Sequence, residues 1–294
     1  MARILIAGCG YAGAATARLF HAHGWEVEGW TSSAQSAEAL GALPFRVRAV
    51  DITSADAVAA AASASRFDVM IQSVSSRGGG ADAYRRIYLE GARNLTSAFS
   101  EALPIFTSST SVYAQTGGEW VTELSAAAPE RETGRVLRET EELVLARGGI
   151  VLRLAGIYGP GRSALLRKFL AGTAVLDASG RRFINQVHRD DVASALLLVA
   201  QRTAGGGSAP ATDRICNVSD NNPRTDRDCY AWLAAQLGKP MPAVSDSPVE
   251  RKRGNSSKRV SSARLQAAGW QPRYPTFESG MRESVLPGLE QLGA

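Results

Sequence analysis

The chain has 294 residues, 45% hydrophobic and 21% charged, an ordinary globular composition with length enough for a full core. No apolar run nears the roughly 20 residues of a membrane span, and Cys9, Cys216 and Cys229 form neither a disulfide framework nor a metal-ligand spacing. The net charge of +5 is local: Arg251, Lys252, Arg253, Lys258 and Arg259 fall within nine acid-free residues, and without them basic and acidic residues balance at 28 each. A metal, a nucleic-acid partner and a membrane partner are therefore not expected, and an odd set of thiols fits the reducing cytoplasm.

The chain opens on an apolar run, Ile4-Leu5-Ile6-Ala7, that leads into Gly8-Cys9-Gly10-Tyr11-Ala12-Gly13 and then a helix-like stretch, Ala14–His23. Strand, glycine turn and helix in this order predict dinucleotide binding over a ligand-free turn. Gly8 lets the chain leave the strand, Gly10 lets backbone approach a pyrophosphate, and Gly13 lets helix pack on strand. The helix N-terminus adds N–H groups and partial positive charge facing the phosphates. A motif this early leaves no room for a signal peptide.

Further β-type runs follow at Glu26–Trp30, Arg46–Val50, Val69–Val74, Ile105–Ser108 and Val151–Leu154, alternating with helical segments Ala55–Ser63, Ala83–Phe99 and Gly134–Ala146. Such alternation predicts an α/β fold, a Rossmann-type doubly wound parallel sheet with ligands at the carboxyl ends of its strands. After Ala155 the rhythm breaks into a Gly156–Gly161 loop, a helix at Ser163–Ala171, a strand at Phe183–Val187 and an apolar helix at Asp190–Ala200. Gly205-Gly206-Gly207-Ser208 reads as a flexible connection. The expected organisation is a nucleotide-binding domain over 1–155, completed by about 183–218, with a smaller discontinuous α/β substrate cap over 156–182 and 219–294.

Taken in order, these segments resemble the extended and atypical short-chain dehydrogenase/reductases, the group of nucleotide-sugar epimerases and dehydratases. The markers are the glycine turn, Asp51-Ile52, Tyr88-Leu89-Glu90-Gly91-Ala92-Arg93-Asn94-Leu95, Ser108-Ser109-Thr110-Ser111-Val112-Tyr113, Arg153-Leu154, Gly156-Ile157-Tyr158-Gly159-Pro160-Gly161 and His188-Arg189-Asp190-Asp191. Asn255-Ser256-Ser257-Lys258-Arg259-Val260 with Leu265, Gly269-Trp270 and Tyr274-Pro275 is similar to a bacterial subgroup labelled epimerase-like. The resemblance implies an NAD(P) site of Gly8, Gly10, Tyr11, Ala12, Gly13, Thr31, Ser32, Ser33, Asp51, Ile52, Ser73, Val74 and Ser108. It implies catalytic positions at Ser109, Ser111, Tyr113 and Thr133, and a substrate pocket of Ser75, Ile157, Tyr158, Arg162, Asn185, His188, Lys258 and Arg259.

One departure is serious. The family's Tyr-x-x-x-Lys, with Tyr as acid/base, occurs nowhere in this chain; matching Gly134 and Glu141 to the family's helix puts Thr133 in place of Tyr and Leu137 in place of Lys. A positioned acid/base contributes roughly 10²–10⁴ in rate, which an alkanol hydroxyl without a base beside it does not supply. Another group carries the proton, the chemistry differs, or there is none. The implied activity is an oxidoreductase or epimerase-like reaction on a small polar, anionic substrate; a non-catalytic NAD(P) sensor or scaffold is the alternative. Thr31-Ser32-Ser33 at the end of the second strand, where NAD-selective relatives place an acid, favours NADP(H) with NAD(H) possible. The apolar stripe Val136, Leu137, Leu143 and Val144 suggests a homodimer or packing on the sheet.

Overall fold

A computed structural model of the chain describes residues 1–63, 65–76, 78–177, 179–204, 214–245 and 256–290. The Gly205–Ser208 connection and Arg251, Lys252, Arg253 and Asn255 of the basic segment lie outside the described residues. Seven strands form one sheet: β1 (Arg3–Ala7), β2 (Glu26–Thr31), β3 (Arg46–Ala49), β4 (Val69–Gln72), β5 (Leu103–Ser109), β6 (Ile150–Leu154) and β7 (Ile215–Val218). Their order is β7-β6-β5-β4-β1-β2-β3. The registers of β1 with β2 and β4, of β2 with β3 and of β4 with β5 are parallel.

This order makes the chain step out from β1 through β2 to β3, then return to lay β4 on the other side of β1. The point of reversal between β1 and β4 is where doubly wound sheets bind ligands. Ile4 to Ala7 are all fully buried, as expected of a strand covered on both faces. One core beside this sheet joins Leu5, Trp30, Val58, Phe67, Leu95 and Phe99, with Trp30 and Phe99 rings 5.7 Å apart.

Helices α1 (Tyr11–Ala22), α2 (Ala34–Glu38) and α3 (Ala55–Ala62) follow the first three strands. Ser33 and Ser54 cap α2 and α3 by accepting backbone N–H groups from Ser36 and Ala57. Helix α4 covers 81–98 and contains a π-turn at Arg85–Glu90; α5 is Glu132–Ala146 and α6 is Arg189–Ala204. The π-turn was not legible in the sequence. On α5, Val136, Leu137 and Val144 are buried in the chain's own fold and Leu143 is half-buried, so packing within the chain accounts for most of that stripe.

The chain divides into two compact units, Met1–Val112 with Ala127–Arg153 and Val192–Cys216, and Tyr113–Ala126 with Leu154–Asp191 and Asn217–Ala294. Apart from two-residue shifts at 154–155 and 217–218, this differs from the expected boundaries at two places. Residues 113–126 join the second unit because Trp120–Val121 pairs in parallel with Arg259–Val260. Residues 183–191 join it because Phe183–Ile184 pairs with Arg224–Thr225 and Gln186–His188 with Gly156–Tyr158. The expected single strand is thus two, and the expected Gly156–Gly161 loop begins as a strand. The second unit's apolar core includes Tyr158, Phe169, Tyr230, Leu233, Phe277 and Met281.

Candidate functional site

The glycine turn sits between β1 and α1, and its three glycines meet different surroundings. A Cβ on Gly8 would lie 2.5 Å from the Ser73 carbonyl oxygen, and one on Gly13 would lie 2.1 Å from that of Gly8. Gly8 also holds φ at +96°, a region that favours glycine. These two positions are closed by backbone. Gly10 is exposed, caps α1 without any side-chain hydrogen bond, and a Cβ there would meet nothing within 4 Å. The chain thus needs glycine at 8 and 13 for its own packing, whereas at 10 it leaves a space at a helix N-terminus that fits a pyrophosphate.

Around this turn the expected cofactor residues fall at the carboxyl ends of β1, β2, β3 and β4 and at the start of α1. Tyr11, Ala12 and Gly13 begin α1, and Ser73 and Val74 leave β4 against Gly8. Thr31 ends β2 with its hydroxyl donating to the Ser33 carbonyl at 3.1 Å, while Ser32 and Ser33 are exposed. Asp51 is exposed and accepts the Thr53 N–H at 2.9 Å. Ile52 is core, and its carbonyl accepts from the Asn94 side chain at 2.9 Å. Cys9, fully buried, touches the space over Gly29, and burial raises its thiol to about 11.

At the end of β5 the two adjacent serines part company. Ser108 is buried and donates its hydroxyl to Glu141 Oε1 at 2.5 Å, so its side chain belongs to a structural cluster and not, as expected, to the cofactor. Glu141 is fully buried and is also held by Arg153, whose Nη2 lies 2.7 Å from Oε2, and by Arg138. Ser109 is half-buried, and its oxygen accepts the Ser111 N–H at 3.1 Å. Ser111 itself is exposed. Thr133 is half-buried near the start of α5, and Leu137 is 3% exposed. A buried alkyl side chain thus occupies the position where the family pattern has lysine.

The second unit shows why several expected ligand contacts must be corrected. Tyr113 is 1% exposed and donates its hydroxyl to Asn217 Oδ1 at 2.9 Å, a bond that ties it into the fold. Lys258 is buried, and its ammonium donates to the Tyr113 carbonyl at 2.8 Å. Burial first, then the Arg182 guanidinium, lowers Lys258 to about 8. Asn185 uses both ends of its amide inside the unit, donating to the Lys258 carbonyl at 2.9 Å and accepting the Val260 N–H at 2.7 Å. Arg259 donates to the Gly118 carbonyl and lies over the rings of Trp120 and Phe183.

His188 is fully buried, with Nδ1 accepting the Asp190 N–H and Nε2 3.0 Å from Ser284 Oγ. Since Nδ1 accepts, the proton sits on Nε2 and the hydroxyl receives it. Burial lowers this imidazole to about 4, so it is neutral at pH 7. Tyr158, 1% exposed, donates to the Thr276 carbonyl at 3.4 Å, and burial raises its phenol well above the usual range. Tyr158, Asn185, His188 and Lys258 were expected on substrate; the fold uses their polar atoms internally, because a buried polar group without a partner costs about 1–3 kcal/mol. Ser75 and Arg162 are exposed, and Ile157 is half-buried.

An open glycine turn at the reversal point of a parallel sheet defines a Rossmann-type nucleotide-binding protein. Within that class the chain belongs to the NAD dependent epimerase/dehydratase family, whose family model matches residues 4–211. It is 33% identical over 217 residues to protein YeeZ of Escherichia coli strain K12, a match spanning 70% of this chain and 76% of that one. A solved structure from Methylobacillus flagellatus, named for the NAD-dependent epimerases/dehydratases, is 32% identical with a TM-score of 0.79, covering 98% of this chain and 99% of that one. The UDP-glucose 4-epimerase of Thermus thermophilus, solved in complex with NAD, shares the fold at 20% identity and a TM-score of 0.81 over 99% of each chain. Among the described residues no helix is long and apolar enough to cross a membrane, and no group of side chains is arranged to hold a metal.

Proposed function

We propose that this chain is an NAD(P)-dependent oxidoreductase or epimerase-like enzyme for a small polar, anionic substrate, with a non-standard active site. The observation that carries the reading is the contrast within the glycine turn, where Gly8 and Gly13 are closed by backbone and Gly10 faces open space. When bound, the nicotinamide would supply a hydride donor or acceptor. Ser109 is the residue for orienting the reacting oxygen, because the Ser111 N–H fixes its hydroxyl. Arg162, exposed at the turn that bridges Gly159 and Arg162, is the cation of the substrate set. Three free, buried cysteines support a cytoplasmic setting.

The uncharged Thr31-Ser32-Ser33 end of β2 supports NADP(H) over NAD(H), since no carboxylate stands there to repel a 2′-phosphate. Titration of the purified chain with both cofactors tests this. Tighter NADP(H) binding is expected; tighter NAD(H) binding overturns the preference, and no binding of either overturns the reading. A second reading, a non-catalytic NAD(P)-dependent sensor or scaffold, is favoured by Leu137 and Thr133 at the family's Lys and Tyr positions. Turnover across a panel of polar alcohols and ketones separates the two. In an enzyme, Ser109→Ala lowers kcat and leaves cofactor affinity unchanged; a wild type that binds cofactor and turns over nothing supports the sensor.

A further inference from the structure

Arg259 differs from its neighbours Lys258, Asn185 and Tyr113 in what the fold leaves unfilled. Its Nε donates to the Gly118 carbonyl at 2.7 Å. Among the described residues nothing accepts from Nη1 or Nη2, no carboxylate lies within 4 Å of the guanidinium, and both terminal nitrogens reach solvent. We propose that Arg259 is an anion-binding fork of the second unit, taking a carboxylate or phosphate group of a ligand through its two Nη groups. Calling that ligand the substrate rests on the reading above; the anion site itself does not.

The side chain is aimed before any ligand arrives. Arg259 and Trp120 are register partners where Trp120–Val121 pairs with Arg259–Val260, and the Arg259 N–H donates to the Glu119 carbonyl at 2.8 Å. The guanidinium carbon lies 5.4 Å from the centre of the Trp120 ring and 5.0 Å from that of Phe183. Phe183 comes this close because Gly118 has no side chain: a Cβ there would lie 3.2 Å from the ring, and φ at +79° favours glycine. Two rings and one carbonyl therefore hold a long side chain whose ordering would otherwise oppose binding. Contact with the rings spends none of the Nη groups, because an aromatic face attracts the cation as a whole.

Charge and access point the same way. Arg182 and Lys258 stand in this region, the Arg182 guanidinium adding to the burial that lowers Lys258, while Glu119 is the acid that opposes it. Three cations thus face one carboxylate, and Glu119 is exposed. Trp120 is 47% exposed, so one of the two rings holding the fork stands open to solvent. All of these residues belong to the second unit. A planar guanidinium edge matches two oxygens of a carboxylate or of a phosphate, so the two groups share one mode of recognition.

Titration calorimetry of the whole chain with inorganic phosphate and with malonate reads the site directly. Saturable binding to wild type is expected, and the tighter of the two anions tells phosphate from carboxylate. Arg259→Gln should weaken it about 10- to 100-fold through loss of charge-assisted hydrogen bonds. Arg259→Lys keeps the charge and gives up the fork, so its affinity should fall between the two; it retains a cation for the rings, which separates lost binding from lost folding. Binding should also perturb indole fluorescence, and Trp120→Phe should remove that signal. Wild-type affinity in either Arg259 variant overturns the proposal, as does wild type that binds neither anion. So does an equal loss in Arg46→Gln, which removes an exposed arginine of the first unit and would mark diffuse attraction between charges. The substrate reading fails separately: wild type that binds no dinucleotide but holds the anion at Arg259 keeps the site and loses the substrate assignment.

Discussion

The glycine turn of the first unit and the Lys258 network of the second are both rich in groups that bind anions, yet they are opposites. At the turn, Gly10 is exposed and the space beyond it holds no protein atom within 4 Å. In the network, Lys258, Asn185 and Tyr113 are packed together and hydrogen-bond to one another, to Val260 and to Asn217. A cation or amide whose bonds are already made in the fold stabilises that fold. Donors beside a space that the chain leaves empty are suited to a ligand. Residue type alone does not separate the two cases.

If the contrast holds, substitutions at the open turn should affect binding and substitutions in closed clusters should affect stability. Gly10→Val has the largest expected effect. It should abolish dinucleotide binding while leaving the melting temperature near wild type, because φ at Gly10 is −98° and no protein atom opposes the new side chain. Gly13→Ala is its counterpart: a Cβ 2.1 Å from the Gly8 carbonyl should lower stability as well as binding. Retained cofactor affinity in Gly10→Val, measured by titration, would remove the turn as the binding site.

Glu141→Ala comes next. It leaves Arg153 buried without its counter-charge, and breaking a buried pair in this way costs about 3–5 kcal/mol. Denaturant unfolding measures it, and a loss below about 1 kcal/mol would show that the cluster behaves like a surface pair. Asn185→Ala should cost less, about 1–3 kcal/mol, by orphaning the Val260 N–H and the Lys258 carbonyl. Unchanged stability with weakened ligand binding would return Asn185 to the ligand side of the comparison.

A pH-dependent effect tests the closed side of the comparison in another way. Burial raises Asp220 from 3.8 to about 8, with Glu278 and Asp191 adding to the rise and the Asn222 N–H opposing it. The folded state therefore keeps this proton between about pH 4 and 8, where the unfolded chain has lost it, and the group's contribution falls as pH rises through that window. Asp220→Asn should gain stability relative to wild type progressively from pH 4 to 8, then level off. Neutral His188, lowered to about 4, drives stability the other way between about pH 4 and 6.5, but it is present in both proteins and cancels in the difference. Parallel melting curves of the two across this range would show that Asp220 is not held protonated.

Local pattern carried much of the fold. The apolar run Ile4–Ala7 expected to lead into the glycine turn lies within β1, Arg3–Ala7, because a short apolar run bounded by glycine has few alternatives in an α/β chain. The helix after the turn starts at Tyr11, three residues earlier than its apolar periodicity suggested, since Gly10 is its cap. The π-turn in α4 has no signal in the local sequence, and the Gln72 amide that bonds its Ile87 and Tyr88 carbonyls lies on a different element. The unit boundaries moved because two-residue ladders such as Trp120–Val121 with Arg259–Val260 have no periodic signal.

The sequence by itself determined the strand–glycine–helix entrance, the alternation that makes a doubly wound sheet, and the absence of a Tyr-x-x-x-Lys motif, since each depends on residues that are neighbours along the chain. Tertiary structure alone decided which polar residues are available to a ligand. Tyr113 and Asn217 are 104 residues apart in the chain and Lys258 and Tyr113 are 145 apart, yet they share hydrogen bonds. Whether a polar side chain waits for a ligand or is satisfied within the fold depends on what distant segments bring to it, because desolvation requires a partner without specifying where in the sequence that partner comes from.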